Sequence, residues 1–182
     1  ALSACSSTST QISSATPSAS ASILESAPLP ALQDYTFYFV ADTARGLRLY
    51  KEVQIVDVAE NELGPDKGLN ALTMLITGQL PPFDGDHKTL WKSGSKVLGL
   101  TREGGVATVD LSLGRFDVGA EAEQRAIDQI IWTLTANDPS VTSVKLTVDG
   151  QSVETLAGHV DATETFVPGF SYDVLASVGI DQ

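Results

Sequence analysis

The chain has 182 residues, with 11 Lys and Arg against 23 Asp and Glu and a net charge of -12 at pH 7. That length holds one ordinary domain with extra segments rather than two independent cores, and the charge repels nucleic-acid backbones and anionic lipid surfaces alike. No apolar run approaches the roughly 20 residues that a spanning helix needs, and a lone cysteine, Cys5, excludes a disulfide within these residues.

At the N-terminus, Leu2-Ser3-Ala4-Cys5 resembles a lipobox, the site where bacteria diacylate a cysteine and cut the signal peptide before it. Small residues at Ser3 and Ala4 fit a peptidase site, and the Cys5 thiol is the sulfur available to carry a diacylglyceryl group with fatty chains such as palmitate. The other reading makes Cys5 an ordinary residue of a disordered tail. Residues 6 to about 33 are dominated by Ser, Thr, Ala and Pro, which bury too little apolar area to offset ordering entropy. Residues 1–34 are therefore read as a lipobox remnant and a disordered tether. About 28 such residues span roughly 30 Å, and two acyl chains suffice for stable anchoring.

Tyr35 to Ala41, rich in aromatic and β-branched residues, predicts a strand. A hairpin loop over Asp42 to Gly46 leads to a second strand, Leu47 to Val58, where Val53, Ile55 and Val56 interrupt alternation and predict a bulge or a change of partner. Gly64-Pro65 opens a helix whose stripe is Leu69, Leu72, Leu75 and Ile76 and which ends near Gly78. Leu80 to Ser93 has no periodicity and forms the longest irregular connection.

Ser95 to Thr101 is placed as a strand, Arg102 to Gly105 as a turn, and Val106 to Leu111 as a strand of two-residue period. From Gly119 to Ala136 the period becomes helical, with Ile127, Ile130, Ile131 and Leu134 on one stripe and Glu121, Glu123 and Asp128 facing elsewhere. The two glutamates suit the first turns, and Asn137-Asp138-Pro139 supplies a stop. Val144, Leu146 and Val148 make one face of a strand, and Asp149-Gly150 returns it through a tight hairpin to Val153. Residues 156–182 are expected to pack on the domain as a C-terminal extension.

Three spaced segments, Val106 to Ser112, Ile130 to Thr135 and Val141 to Val153, resemble the sporulation and germination (GerMN) domain family of bacterial envelope proteins. The resemblance covers about Tyr35 to Val153, and residues 35–155 are read as the domain. It implies an α+β fold: a mixed β-sheet with two helices packed on one face, and a β-α-β-β-α-β core similar to the ring-building modules of sporulation and secretion complexes. Such modules associate through surfaces and do no chemistry.

Asp84, Asp86 and His87 come nearest to a metal-ligand set. They lack the twelve-residue series of a calcium loop and the cysteines or further histidines of a structural zinc site, so a solvated turn is expected and no metal. His159 is the second histidine, far along the chain. No GxSxG elbow, GxGxxG, P-loop or HExxH is present, and no cofactor is expected. Asp110, Asp149 and Glu154 lie beside strand ends, where a glycosidase-like acid and base pair is conceivable, but a role in turns is the plainer reading. Trp132 falls at the edge of its helix's apolar stripe, and Trp91 lies on the long loop near His87. Tryptophan is enriched at binding hot spots as well as in cores, so Trp91, Trp132 and His87 are the candidate partner or ligand contacts.

These readings converge on a non-enzymatic, lipid-anchored extracytoplasmic module that contacts an envelope protein or its own copies and touches the membrane only through its anchor. The competing expectation is a lipoprotein binding a small ligand or cell-wall glycan on an aromatic platform at Trp91. A hydrolase with paired carboxylates is the remote third.

Overall fold

The structure, a computed structural model, describes residues 32–169 and the backbone of 174–176. The expected lipid-attachment residue Cys5, the tether through residue 31, and residues 170–173 and 177–182 of the expected extension lie outside the described residues.

The aromatic run lies within β1 (Leu32–Thr43), which turns at Ala44 and Arg45 into β2 (Gly46–Asp57). The strands pair antiparallel in unbroken register, from Leu32 opposite Asp57 to Thr43 opposite Gly46. The bulge expected in β2 is therefore not found in its pairing with β1. What breaks the sequence alternation is inverted polarity. Val53 and Ile55 point outward, 49% and 69% exposed, while Glu52 and Gln54 point inward, 4% and 5% exposed.

Helix α1 (Lys67–Thr77) starts at Asp66, one residue after the proline, because the Asp66 carboxylate accepts the Leu69 N–H at 3.0 Å. It is buried on two sides. Leu72 and Ile76 join the larger core, while Ala71, Met74 and Leu75 pack with Tyr35, Phe37, Phe39 and Val56. Gly68 lies where this helix passes close to the second one, and a Cβ there would sit 2.9 Å from both Leu134 Cδ1 and Arg102 Nη2. Leu134 and the guanidinium would both have to yield, so glycine suits this approach.

Strands β3 (Lys96–Glu103) and β4 (Val106–Ser112) form an antiparallel pair. Their register shifts between Val97 and Gly99, and Leu98 is 52% exposed, so the bulge lies here. Helix α2 (Ala120–Asn137) is the crossover that brings β5 (Ser143–Val148) parallel to β4. Asp149 (φ 49°) and Gly150 (φ 75°) then reverse the chain into β6 (Gln151–Ser152), the two successive left-handed residues a tight hairpin requires.

The result is a mixed sheet of order β3-β4-β5-β6. Ala107, Val109, Leu111, Val144 and Leu146 form its buried face, and Leu72 and Ile76 from α1 pack there with Ile127, Ile130, Ile131 and Leu134 from α2. The fold is α+β, and the run from β2 to β5 follows the expected β-α-β-β-α-β order with β1 added in front.

Among the described residues the strands divide into two sheets. The N-terminal ribbon stands apart from the mixed sheet and adds a short parallel strand, β7 (Val174–Ala176), in the order β1-β2-β7. One ribbon face turns Tyr38, Val40 and Leu49 into the α2 core, and the other turns Tyr35, Phe37 and Phe39 against α1. Phe37, Tyr38, Phe39 and Val40 are consequently all buried, which explains a run that is apolar on both faces.

After β6 the chain turns back at Ala162, whose N–H donates to the Glu154 carbonyl at 2.7 Å. Phe166 and Val144 exchange two backbone hydrogen bonds of 2.7 Å, which lengthens the pairing along β5.

Candidate functional site

The structure does not gather Trp91, Trp132 and His87 into one site. Trp91 is 4% exposed and stacks on Phe116 with ring centroids 5.0 Å apart, so it offers no open face to a sugar or ligand. The glycan platform expected at Trp91 is unavailable for that reason. Trp132, half-buried, rests on Tyr38 of β1 at 5.5 Å. His87 stacks on Tyr50 at 4.5 Å, and its Nδ1–H donates to Glu52 Oε1 at 2.6 Å.

Glu52 is the reason the long loop has a fixed shape. A carboxylate buried on a strand must be satisfied, and the loop supplies the donors. The Phe83 N–H donates to Oε2 at 2.9 Å, His87 takes Oε1, and Gln54 Nε2 reaches both Oε2 at 3.3 Å and the Pro81 carbonyl at 3.1 Å. Asp84 Oδ2 lies 4.0 Å from His87 Nε2, and Asp84 Oδ1 accepts the Asp86 N–H in a local turn. Among the described residues no three His, Cys, Asp or Glu side chains converge as a metal site.

Glu123, expected to face away from the core, is fully buried. It accepts four backbone N–H groups from the segment after β6: Leu156 and Ala157 on Oε1 at 2.9 and 2.7 Å, His159 and Val160 on Oε2 at 2.9 and 3.2 Å. Period alone put it outside, because the group that covers it arrives more than thirty residues later. Asp110 likewise serves a turn, with Oδ1 accepting from Thr147 Oγ1 and from the Gly150 N–H, both at 2.8 Å. Asp149 occupies the left-handed turn position itself, and Glu154 is exposed.

A concavity of about 420 Å³ opens between the start of α1, the end of α2 and β3, lined by Pro65, Asp66, Lys67, Arg102, Asn137 and Asp138. Its charges satisfy one another. Arg102 grips Asp66 with two bonds of 2.8 and 2.7 Å and reaches Asp138 through Nε at 2.5 Å. Lys67 Nζ sits 5.4 Å from the Tyr35 ring centroid. The Arg102 side chain holds the Asp66 carboxyl below the usual range. At Asp138 burial pushes upward, but the Ser140 hydroxyl and Arg102 outweigh it, and the net shift is downward. Both carboxyls are ionised at neutral pH and offer no general acid.

What remains unsatisfied is surface. Leu32, Val53 and Ile55 are 61%, 49% and 69% exposed on one face of the ribbon, beyond the part that α2 covers. The broken alternation at Val53 to Val56 is the sequence signal of this exposed apolar face. Among the described residues no helix is long and apolar enough to cross a membrane.

With this geometry in hand, comparison with known proteins agrees on the fold. The chain is similar over 78% of its length, at 23% identity and a TM-score of 0.50, to a candidate lipoprotein from Clostridium perfringens, covering 93% of that chain. It is similar to the tandem GerMN domains of the sporulation protein GerM from Bacillus subtilis, with a TM-score of 0.54 and 21% identity over 66% of this chain and 40% of that one. The first GerMN domain of that protein gives 0.50 and 20% over 71% and 92%. No curated protein matches significantly. The family model described as Germane, sporulation and spore germination, matches residues 36–154, from β1 to just past β6. Spanning more than half of the sequence, that match carries the conclusion that the chain belongs to the Germane family.

Proposed function

We propose that this protein is a non-enzymatic, lipid-anchored module on the extracytoplasmic face of a bacterial membrane, and that it works by binding a protein partner. The observation that carries the reading is the apolar face of the ribbon, where Val53 and Ile55 point to solvent from a strand whose glutamate and glutamine point inward. Among the described residues this β-branched pair stays exposed, and apolar surface of that kind contributes to stability when another surface covers it. The buried carboxylates support the same reading, since Glu52 holds its loop through the Phe83 N–H and the His87 ring and Glu123 holds the segment after β6 through four backbone N–H groups. Similarity to a candidate lipoprotein supports the anchor at Cys5, with the Ser-rich tether as spacer.

Crosslinking and pull-down from intact cells carrying the full gene product test the reading, with Val53→Asp/Ile55→Asp as the variant. The expected result is a captured partner, or self-association, that is lost in a variant still folded by circular dichroism. A strict monomer at high concentration with no captured protein would overturn it. Metabolic labelling with a fatty acid tests Cys5, and its absence from the labelled protein would remove the anchor.

A further inference from the structure

The long loop between α1 and β3 displays an aromatic side chain on a fixed backbone. Phe83 is 74% exposed, yet the chain on either side of it is held. Its own N–H donates to the buried Glu52 carboxylate at 2.9 Å, and the Pro81 carbonyl accepts from Gln54 at 3.1 Å. Pro81 and Pro82 restrict φ to about −65° on the approach. Beyond Phe83 the His87 N–H closes a turn on the Asp84 carbonyl at 3.1 Å, and the His87 ring bonds Glu52 and stacks on Tyr50. A side chain on a loop already ordered in this way loses little further backbone freedom when a partner covers it. Alternation along β2 puts Glu52 and Gln54 opposite to Val53 and Ile55, so the loop carrying Phe83 packs on the side away from that apolar pair.

We propose that Phe83 anchors a second contact, its ring entering an apolar pocket of a basic partner protein, with Asp84 and Asp86 meeting the pocket's cationic rim and Glu52 as the positioning residue that presents the ring. The contact rests on the protein-binding function proposed above and adds a separate surface to it. Charge selects the partner. Asp84 and Asp86 are both exposed beside Phe83, on a chain of net charge -12. An anionic bilayer and a second copy of this chain are both repelled there, whereas Arg or Lys around an apolar pocket complements the ring and the two carboxylates together. The inverted polarity of β2 then serves two contacts: the outward valine and isoleucine form one, and the inward glutamate shapes the loop that forms the other.

Photocrosslinking in intact cells tests the contact, with p-benzoylphenylalanine placed at position 83 of the full gene product and, as an exposed control at the end of the same loop, at position 92. The protein captured from position 83 is then purified, and its binding to the natural chain is measured against salt concentration. Capture is expected from position 83 and not from 92. Phe83→Ser should raise Kd about tenfold or more at unchanged Tm, and Asp84→Asn/Asp86→Asn should flatten the salt dependence. Glu52→Gln should weaken binding in the natural chain but by less than about twofold when Phe83→Ser is already present, because the carboxylate acts through the ring. A Glu52→Gln loss of equal size in both backgrounds overturns its positioning role. No captured protein at position 83, a homodimer as the sole product, Phe83-dependent flotation with phosphatidylglycerol vesicles in place of protein capture, or a Kd indifferent to Phe83→Ser overturns the contact. If Phe83→Ser is silent while capture sensitive to Val53→Asp/Ile55→Asp persists, this contact fails and the docking function stands.

Discussion

The Asn137 carboxamide occupies the place of a missing strand beside Thr36. Its Oδ1 accepts the Thr36 N–H at 3.1 Å and its Nδ2 donates to the Thr36 carbonyl at 2.6 Å, the two bonds an adjacent strand would make. One turn earlier Thr133 Oγ1 accepts the Tyr38 N–H at 3.1 Å, and another turn earlier Gln129 Nε2 donates to the Tyr38 carbonyl at 2.9 Å. Gln129, Thr133 and Asn137 recur every four residues, so they form one stripe of α2, and all three are buried. This polar stripe closes the edge of β1, which would otherwise leave unpaired backbone groups in the core.

Replacing Asn137 by Ala removes both bonds to Thr36 and a third to the Thr133 carbonyl at 2.8 Å. A loss of about 2–3 kcal/mol in urea unfolding is expected, because the freed groups are buried. Asn137→Asp is expected to cost more, since a carboxylate would face two carbonyl oxygens. An aspartate variant as stable as the natural chain would rule out the edge-closing role.

Glu123→Gln tests the anchor of the segment after β6. An amide nitrogen cannot accept a hydrogen bond, so two of the four backbone donors lose their acceptor. The expected loss is about 3 kcal/mol, with the amides of Leu156 to Val160 exchanging faster while Ile130 and Leu146 keep their protection. Unchanged exchange over Leu156 to Val160 would show that the carboxylate does not hold the segment.

The Asp66–Arg102–Asp138 cluster predicts an acid limit. Both carboxyls have folded pKa values below their unfolded ones, so the folded state binds fewer protons. Their contribution is present above the unfolded value of about 3.9 and is lost as pH falls through the lowered folded values. Arg102→Met should cost about 1 kcal/mol at pH 7, modest because these groups are partly solvated, and the difference from the natural chain should shrink below about pH 4. A difference that stays constant from pH 7 to pH 2 would show that the ion pairs contribute nothing and that the arginine's packing matters instead.

Trp91→Phe is expected to change stability by no more than about 1 kcal/mol. The indole N–H is buried and finds no acceptor among the described residues, so phenylalanine loses some packing volume but removes an unpaired donor and keeps the stack on Phe116. Thermal unfolding reads the result. A large loss of partner binding with unchanged stability would return Trp91 to the functional site.

Local pattern was sufficient wherever a residue's neighbours in sequence are also its neighbours in space. The β4 alternation, the α2 stripe of Ile127, Ile130 and Leu134, and the Asp149-Gly150 hairpin follow from backbone period and turn sterics, and with the resemblance they fixed the α+β class. Period also places a side chain on a face, but whether that face is buried depends on what packs there from far along the chain. Helical period sends Glu123 to solvent, because the backbone donors of Leu156 to Val160 cannot be anticipated from the helix alone. The inward glutamate and outward isoleucine of β2 look like a break in a strand by pattern alone, because the loop carrying Phe83 and His87 is what satisfies Glu52. The division into two sheets was likewise decided by tertiary contact, since a helix side chain in place of a strand leaves no mark in the sequence of the strand it closes.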